Sequence, residues 1–447
     1  MSIKKEILFV NPAVVSNILK ILYLYFKRFV PSVFFILSAL SPEDYKIKIV
    51  NQKIFWFKKD FLKYKGCLVG ITCTTISVIN AYRLADRFKQ AGAYVVMGGP
   101  HVSVLPDEAL KHCHSVVIGE AEGIWKELLQ DYEKKQLKNK YEASLLDDFF
   151  SPVYEYFLKL KPKILRIIGI FTHRGCKYNC EFCVTPKKKL RFIKIEQIVG
   201  LIERMKQERF FSFIQRPSIA LMGDNIYSNP DFAKRLFKSI IPLGISWVAN
   251  ASIDIAFDEE ALSLARQSGC RLLFIGFETI FPSQLSKLSL PTIKSHSDYI
   301  KAVKNIKAHK IRVTGAFIVG FDSYKHKDYF RLIFLMARMR LFFVSLTTLT
   351  PFPGSALFKR LKKENRILTY DWKKYSVFSK PVFKPNNMSV ISVKIWFIFI
   401  RIVSLLLSTL TSILILMLIW NIVISVLDSK LNHQIATERL GSVFIVK

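Results

Sequence analysis

Three cysteines stand within eight residues of this 447-residue chain: Cys176, Cys180 and Cys183, in Gly-Cys-Lys-Tyr-Asn-Cys-Glu-Phe-Cys. The other four, Cys67, Cys73, Cys113 and Cys270, are scattered, so the seven do not read as a disulfide framework. Spacings of four and three residues put three thiolates on one compact loop. That set suits three irons of a cubane cluster and leaves the fourth iron without a protein ligand. An open metal position is what catalysis needs, because substrate or cofactor must bind there. Structural zinc is the alternative, and His173 is the only local candidate for its fourth ligand.

Such a loop needs a scaffold, and the sequence around it repeats. Strand-like runs at 166–172, 218–222, 245–250, 271–277, 312–319 and 342–349 alternate with helical patterns such as 195–205, 230–240, 258–268 and 326–339. Six β-α units imply a curved parallel sheet whose chemistry lies on the loops after its strands. The cysteine loop directly follows the first of them. Earlier in the chain, five short runs at 6–10, 46–50, 67–72, 93–97 and 115–118 alternate with helical patterns at 77–91, 105–111 and 124–131. They predict a doubly wound, flavodoxin-like five-stranded parallel sheet with ligands at its carboxyl edge. A Lys-rich stretch, 133–140, reads as a solvated boundary. The expected division is therefore 1–140, 160–350 and a largely helical extension over 351–447.

Composition narrows the class. At 51% hydrophobic residues the chain is not intrinsically disordered, and charge spread along its length excludes a purely membrane-embedded protein. Sixty-seven Lys and Arg against 34 Asp and Glu leave +33, a field that draws phosphate-bearing ligands, nucleic acid or an anionic membrane face. The apolar run 14–40 is interrupted by Lys20, Lys27, Arg28 and Pro31 and has no cleavage site. It reads as a loop and helices, one of them able to touch lipid, and not as a signal peptide, which makes a cytoplasmic location the default.

The cysteine loop and the six-unit repeat resemble the radical S-adenosylmethionine (SAM) enzymes and their partial (β/α)6 barrel. The resemblance implies that Cys176, Cys180 and Cys183 ligate a 4Fe-4S cluster whose open iron chelates SAM. An electron from a flavodoxin- or ferredoxin-type donor then splits SAM to a radical that abstracts hydrogen from substrate. It also implies that Phe182 packs beside the cluster and that Asp224, in Met222-Gly-Asp-Asn225, contacts SAM. Gly223 departs from the second acidic residue many relatives carry there. Gly276-Phe-Glu-Thr279 resembles the element near the SAM ribose and nominates Glu278. Gly315 and Gly320 resemble the segment where backbone approaches adenine.

In the first domain, Val96-Met-Gly-Gly-Pro-His-Val-Ser103 and Val117-Ile-Gly-Glu-Ala-Glu122 resemble the cobalamin-binding domain fused to one class of these enzymes. Gly98 and Gly99 leave room for a bulky ligand tail, and Thr72 and Thr74 are placed to hydrogen-bond it. No Asp-x-His-x-x-Gly follows the first strand, so cobalamin is expected without a histidine on its lower face; His101 is expected to shape its turn. The segment Leu349-Thr-Pro-Phe-Pro-Gly-Ser-Ala-Leu-Phe358 resembles the extension of the group that includes hopanoid-methylating enzymes. Lys177, in the cysteine loop, departs from the pattern.

The stretch 402–427 carries no charge and at roughly 1.5 Å per residue is long enough to span a bilayer as a helix. Arg401, Ser404, Ser408 and Thr411 would give it a small polar face, so a buried helix is the alternative. Membrane contact through 402–427 would suit a lipid-like substrate. The expected activity is methylation or rearrangement at an unactivated carbon of a small or lipid-like molecule. An iron–sulfur electron carrier and an RNA-modifying radical SAM enzyme are the alternatives. Nucleic acid is not the expected partner, since no separate RNA-binding module is evident.

Overall fold

Parallel strands covered on both faces need apolar side chains on both, and the first half of the chain supplies them. The computed structural model describes residues 3–12, 31–51, 60–145, 168–185, 190–207, 218–281, 293–407 and 444–445. Strands β1 (Glu6–Asn11), β2 (Lys46–Asn51), β3 (Leu68–Thr72), β4 (Tyr94–Gly98), β5 (Ser115–Ile118) and β6 (Lys140–Glu142) form one parallel sheet in the order 2-1-3-4-5-6. Along β1 the alternation of side chains sends Ile7 and Phe9 to one core and Leu8 and Val10 to another. Phe34, from helix Ser32–Ala39, and Trp125 and Leu128, from helix Trp125–Glu133, close the first core; helix Val78–Gln90 closes the second.

The sheet is one parallel strand wider than the five expected. β6 falls at the end of the stretch read as a solvated boundary, and three residues are too few to show a period. Its central Tyr141 is buried and donates to Asp131 Oδ2 at 2.8 Å. The opposite edge is extended by a short antiparallel strand at Phe444–Ile445, pairing with β2.

The second sheet is built from β7 (Ile168–Phe171), β10 (Ser218–Met222), β11 (Ser246–Ser252), β12 (Cys270–Glu278), β13 (Arg312–Val319) and β14 (Phe343–Thr348), all parallel and adjacent in sequence order. It is the open six-stranded sheet of a partial (β/α)6 barrel. Between β7 and β10 a ribbon of β8 (His173–Arg174) and β9 (Arg191–Phe192) brackets the cysteine loop.

Beyond β14, helices Ala356–Lys363 and Val390–Leu407 lie among irregular segments that touch both sheets' domains. Trp372, Tyr375 and Val382 join the core of the first domain, and Phe397 and Ile400 that of the second. Of the apolar stretch 402–427 only 402–407 are described, as the end of helix Val390–Leu407; the rest, with Ser408 and Thr411, lies outside the described residues. Of the expected polar face, Ser404 is buried against protein and Arg401 is half-buried. Among the described residues no helix is long and apolar enough to cross a membrane. Of the run 14–40, only 31–40 is described.

Candidate active site

The loop carrying the three cysteines is held at its base by a histidine. His173 is buried, with Nδ1 2.9 Å from Thr172 Oγ1 and Nε2 accepting the Asn225 N–H at 3.2 Å. Burial pushes its pKa down to about 4, so the ring is neutral at pH 7. Both nitrogens are engaged in the protein, which removes His173 as a fourth zinc ligand. Among the described residues no group of three or more His, Cys, Asp or Glu is arranged to hold a single metal ion. A cubane asks less, since each thiolate meets its own iron. A Cβ on Gly223 would stand 2.1 Å from the imidazole, so this departure from the family pattern is the space the histidine occupies.

Cys176 and Cys180 are half-buried and Cys183 is exposed; none is in a disulfide. The Cys180 thiol is pushed up to about 12, first by burial and then by the neighbouring Glu278, Cys183 and Cys176. A thiol in that setting becomes a thiolate when a cation compensates it, which fits an iron cluster as occupant. The four other cysteines are buried beside or within strands, as small core residues.

Polar side chains tie the loop on three sides. Asp224 accepts from the Gly175 N–H at 2.9 Å and from Thr185 Oγ1 at 3.2 Å, so both its oxygens serve the loop. Lys177 Nζ lies 2.8 Å from Asp254 Oδ2, to which Tyr178 also donates at 2.6 Å; the unusual lysine has its own counter-ion. Glu181 pairs with Arg360 of helix Ala356–Lys363 at 2.5 Å. On the side of the first domain, Arg174 reaches Glu120 at 2.5 Å and Glu122 at 2.6 Å, while Arg191 meets Glu120 at 2.5 Å. These carboxylates belong to the Gly-Glu-Ala-Glu segment after β5, so the ribbon around the cysteines is bolted to the edge of the first sheet. Sequence reasoning quoted that segment without its charges' purpose. The signal available was two carboxylates between glycines, with arginines flanking the cysteines.

The remaining SAM candidates divide. Phe182 is half-buried and meets the Phe321 ring edge-on, with centroids 6.3 Å apart. Glu278 ends β12 at φ 59°, with its carboxyl folded over Gly276, where a Cβ would be 2.3 Å from Oε1. Burial raises its pKa to about 7, and it lies close enough to Cys180 to raise that thiol. Gly315 and Gly320 are governed by packing instead. A Cβ on Gly315 would meet Leu341 at 2.6 Å and Phe277 at 3.0 Å, and one on Gly320 would meet Val393 at 3.1 Å. At both positions packing by itself also calls for glycine, and Gly320 further sits at φ 90°.

The cobalamin candidates do come together at the carboxyl ends of β3 and β4. Thr72 pairs in register with Gly98, and a Cβ on Gly99 (φ 100°) would lie 2.7 Å from Thr72 Oγ1 and from the Cys73 carbonyl. Gly98 has only ordinary contacts, 3.7 Å or more, around its missing side chain. Thr74 is exposed at the mouth of the turn, its N–H bonded to Ser77 Oγ at 3.1 Å. His101 is buried, 3.1 Å from Thr75 Oγ1 and edge-on to Trp372. It braces the turn and does not face an open ligand space.

Comparison with known proteins agrees with this geometry. Residues 48–129 match the B12 binding domain and 170–336 the radical SAM superfamily. The bacteriochlorophyllide d C-12(1)-methyltransferase of Chlorobaculum tepidum is 33% identical over 74% of this chain and 72% of its own length. The chain belongs to the cobalamin-dependent radical SAM methyltransferases. The family's cofactors are a 4Fe-4S cluster, SAM and cobalamin, and a free-standing electron carrier is set aside. The hopanoid C-2 methylase of Rhodopseudomonas palustris is 23% identical over 76% of this chain and 66% of its own. Among solved structures, the radical SAM methyltransferase TsrM from Kitasatospora setae shares the fold, with TM-score 0.62 at 16% identity over 81% of this chain and 78% of its own.

Proposed function

We propose that this protein transfers a methyl group to an unactivated carbon of an apolar small molecule. The observation that carries the reading is the Arg174–Arg191–Glu120–Glu122 network, which joins the cysteine loop to the glycine-lined edge of the first sheet. A radical generator and a methyl carrier must face one substrate, and a rigid joint between their domains suits that need.

In this reading Cys176, Cys180 and Cys183 hold three irons, and Phe182 and Glu278 border SAM. Asp224 positions the loop, and Gly315 and Gly320 act through packing. Thr72, Thr74, Gly98 and Gly99 receive cobalamin, with no histidine beneath it. Bound together, the cluster supplies an electron for reductive SAM cleavage and cobalamin carries the methyl group. Relatives named for bacteriochlorophyllide d and for hopanoids support an apolar substrate. A flavodoxin- or ferredoxin-type donor and contact of 402–427 with a membrane complete the proposal.

The test is anaerobic reconstitution with dithionite and SAM bearing a trideuteromethyl group, with cobalamin added or omitted, against organic-soluble and water-soluble metabolite fractions. The labelled methyl should appear in an organic-soluble product, only with cobalamin, alongside 5′-deoxyadenosine. Label in the aqueous fraction alone would refute the substrate class, and transfer without cobalamin would refute the route.

A further inference from the structure

Helices His326–Met339 and Val390–Leu407 pack against each other and expose an apolar surface that the methyl-transfer chemistry does not use. The second helix is apolar on its inner and outer sides, with Ser392, Lys394, Arg401 and Ser404 interspersed. Its inner side, Val393, Phe397 and Ile400, is buried, while Ile391, Ile395, Phe399 and Ile402 repeat at helical spacing on the outer side. Ile391 is 70% exposed and Ile395 61%. The first helix adds Phe330 and Phe334, 60% and 64% exposed and one turn apart. Trp396 joins the two rows, 4.8 Å from the Phe330 ring and 5.8 Å from that of Phe399, with Nε1 donating to His326 Nδ1. Isolated exposed apolar residues need no explanation; a contiguous patch centred on a tryptophan does.

Charge identifies the occupant. Lys327, Arg338 and Lys394 are exposed on the same two helices, Arg331 is exposed but pairs with Asp328 at 3.0 Å, and Arg338 lies 5.6 Å from the Phe334 ring. The only acidic residue on either helix is Asp328, which is buried. A second copy of the chain would bring these cations against their own images. An anionic bilayer surface answers both features, apolar side chains entering the acyl boundary while Lys and Arg reach headgroup phosphates. We infer that this two-helix face docks the folded body onto an anionic membrane surface, lying on it without spanning. The inference is independent of the methyl-transfer reading and holds or fails without turnover.

The experiment is vesicle flotation of the full chain with phosphatidylglycerol–phosphatidylcholine or phosphatidylcholine alone. Binding to the anionic vesicles should exceed binding to the neutral ones by about tenfold, and F330S/F334S/I395S/F399S should lower it by about tenfold with an unchanged near-ultraviolet spectrum. Acyl-chain-brominated lipid should quench wild-type tryptophan emission and quench Trp396→Phe much less, which keeps the test decisive if the quadruple variant misfolds. Absence of vesicle binding, or full binding by the variants, would overturn the inference. So would quenching that disappears in Trp420→Phe and survives in Trp396→Phe, since the distal apolar stretch would then be the contact. A wild-type dimer that the quadruple variant converts to monomer in light scattering would assign the face to a second copy and likewise overturn it.

Discussion

The carboxyl edges of the two sheets are built on opposite plans. At the barrel edge the site is made of side chains: three thiols on a loop fixed by Asp224, Lys177, Glu181, Arg174 and Arg191, each with a named counterpart. At the edge of the first sheet the proposed cobalamin site is made by leaving side chains out, with Gly98 and Gly99 beside Thr72. A cluster must be ligated, so its donors need fixed directions. A large preformed cofactor must be admitted, so its site needs shape. The contrast predicts that the barrel edge tolerates loss of packing better than loss of charge partners, and the first sheet's edge the reverse.

The largest expected effect is on ligation. Cys180→Ala, reconstituted anaerobically, should lose the cluster's visible absorption and all 5′-deoxyadenosine formation; nucleoside that persists would show that the cysteines do not ligate. Next is the joint between the edges. Glu120→Ala removes the carboxylate shared by buried Arg191 and half-buried Arg174, which keeps Glu122; since breaking a buried pair costs about 3–5 kcal/mol, a loss toward the lower end of that range is expected. Denaturant melts should show that loss, and iron content after reconstitution should fall with it, because Arg191 and Arg174 flank the loop.

His173 supplies a pH test of the same edge. The fold holds this ring neutral down to about pH 4, whereas the unfolded chain takes up its proton near 6.5. Its contribution is therefore whole above pH 6.5 and is lost progressively as the pH falls to about 4, at most about 3 kcal/mol. Urea melts at pH 7.5 and 4.5 should show a smaller pH difference for His173→Gln than for the wild type. The glycine edge gives the smallest and most discriminating effects. Gly99→Ala should cost about 2 kcal/mol, from positive φ and a backbone clash. Gly98→Ala should melt within about 1 kcal/mol of wild type, keep its iron and retain less cobalamin. Unaltered cobalamin retention in Gly98→Ala would erase the contrast between the edges.

Much of this was legible in the chain because strands buried on both faces write continuous apolar runs, and most runs in both sheets lie within two residues of the observed strands. Three cysteines at fixed spacing in one loop carry their meaning locally. What escaped was non-local or too short. β6 offers three residues, of which only Tyr141 is buried. The partners of Arg174 and Arg191 lie 52 or more residues away, and a list of charges does not say which will meet. Gly315 and Gly320 show the opposite hazard, since a glycine reads the same whether ligand or Phe277, Leu341 and Val393 fills the space beside it.

The extension after β14 has a temporal consequence. Arg360 closes on Glu181 across 179 residues of chain, and Trp372 on Glu108 across 264. Contacts so distant in sequence form late. During synthesis the cysteine loop leaves the ribosome well before the helix that will lean on it, so the ion pair that ties Glu181 can close only once the last quarter of the chain has arrived.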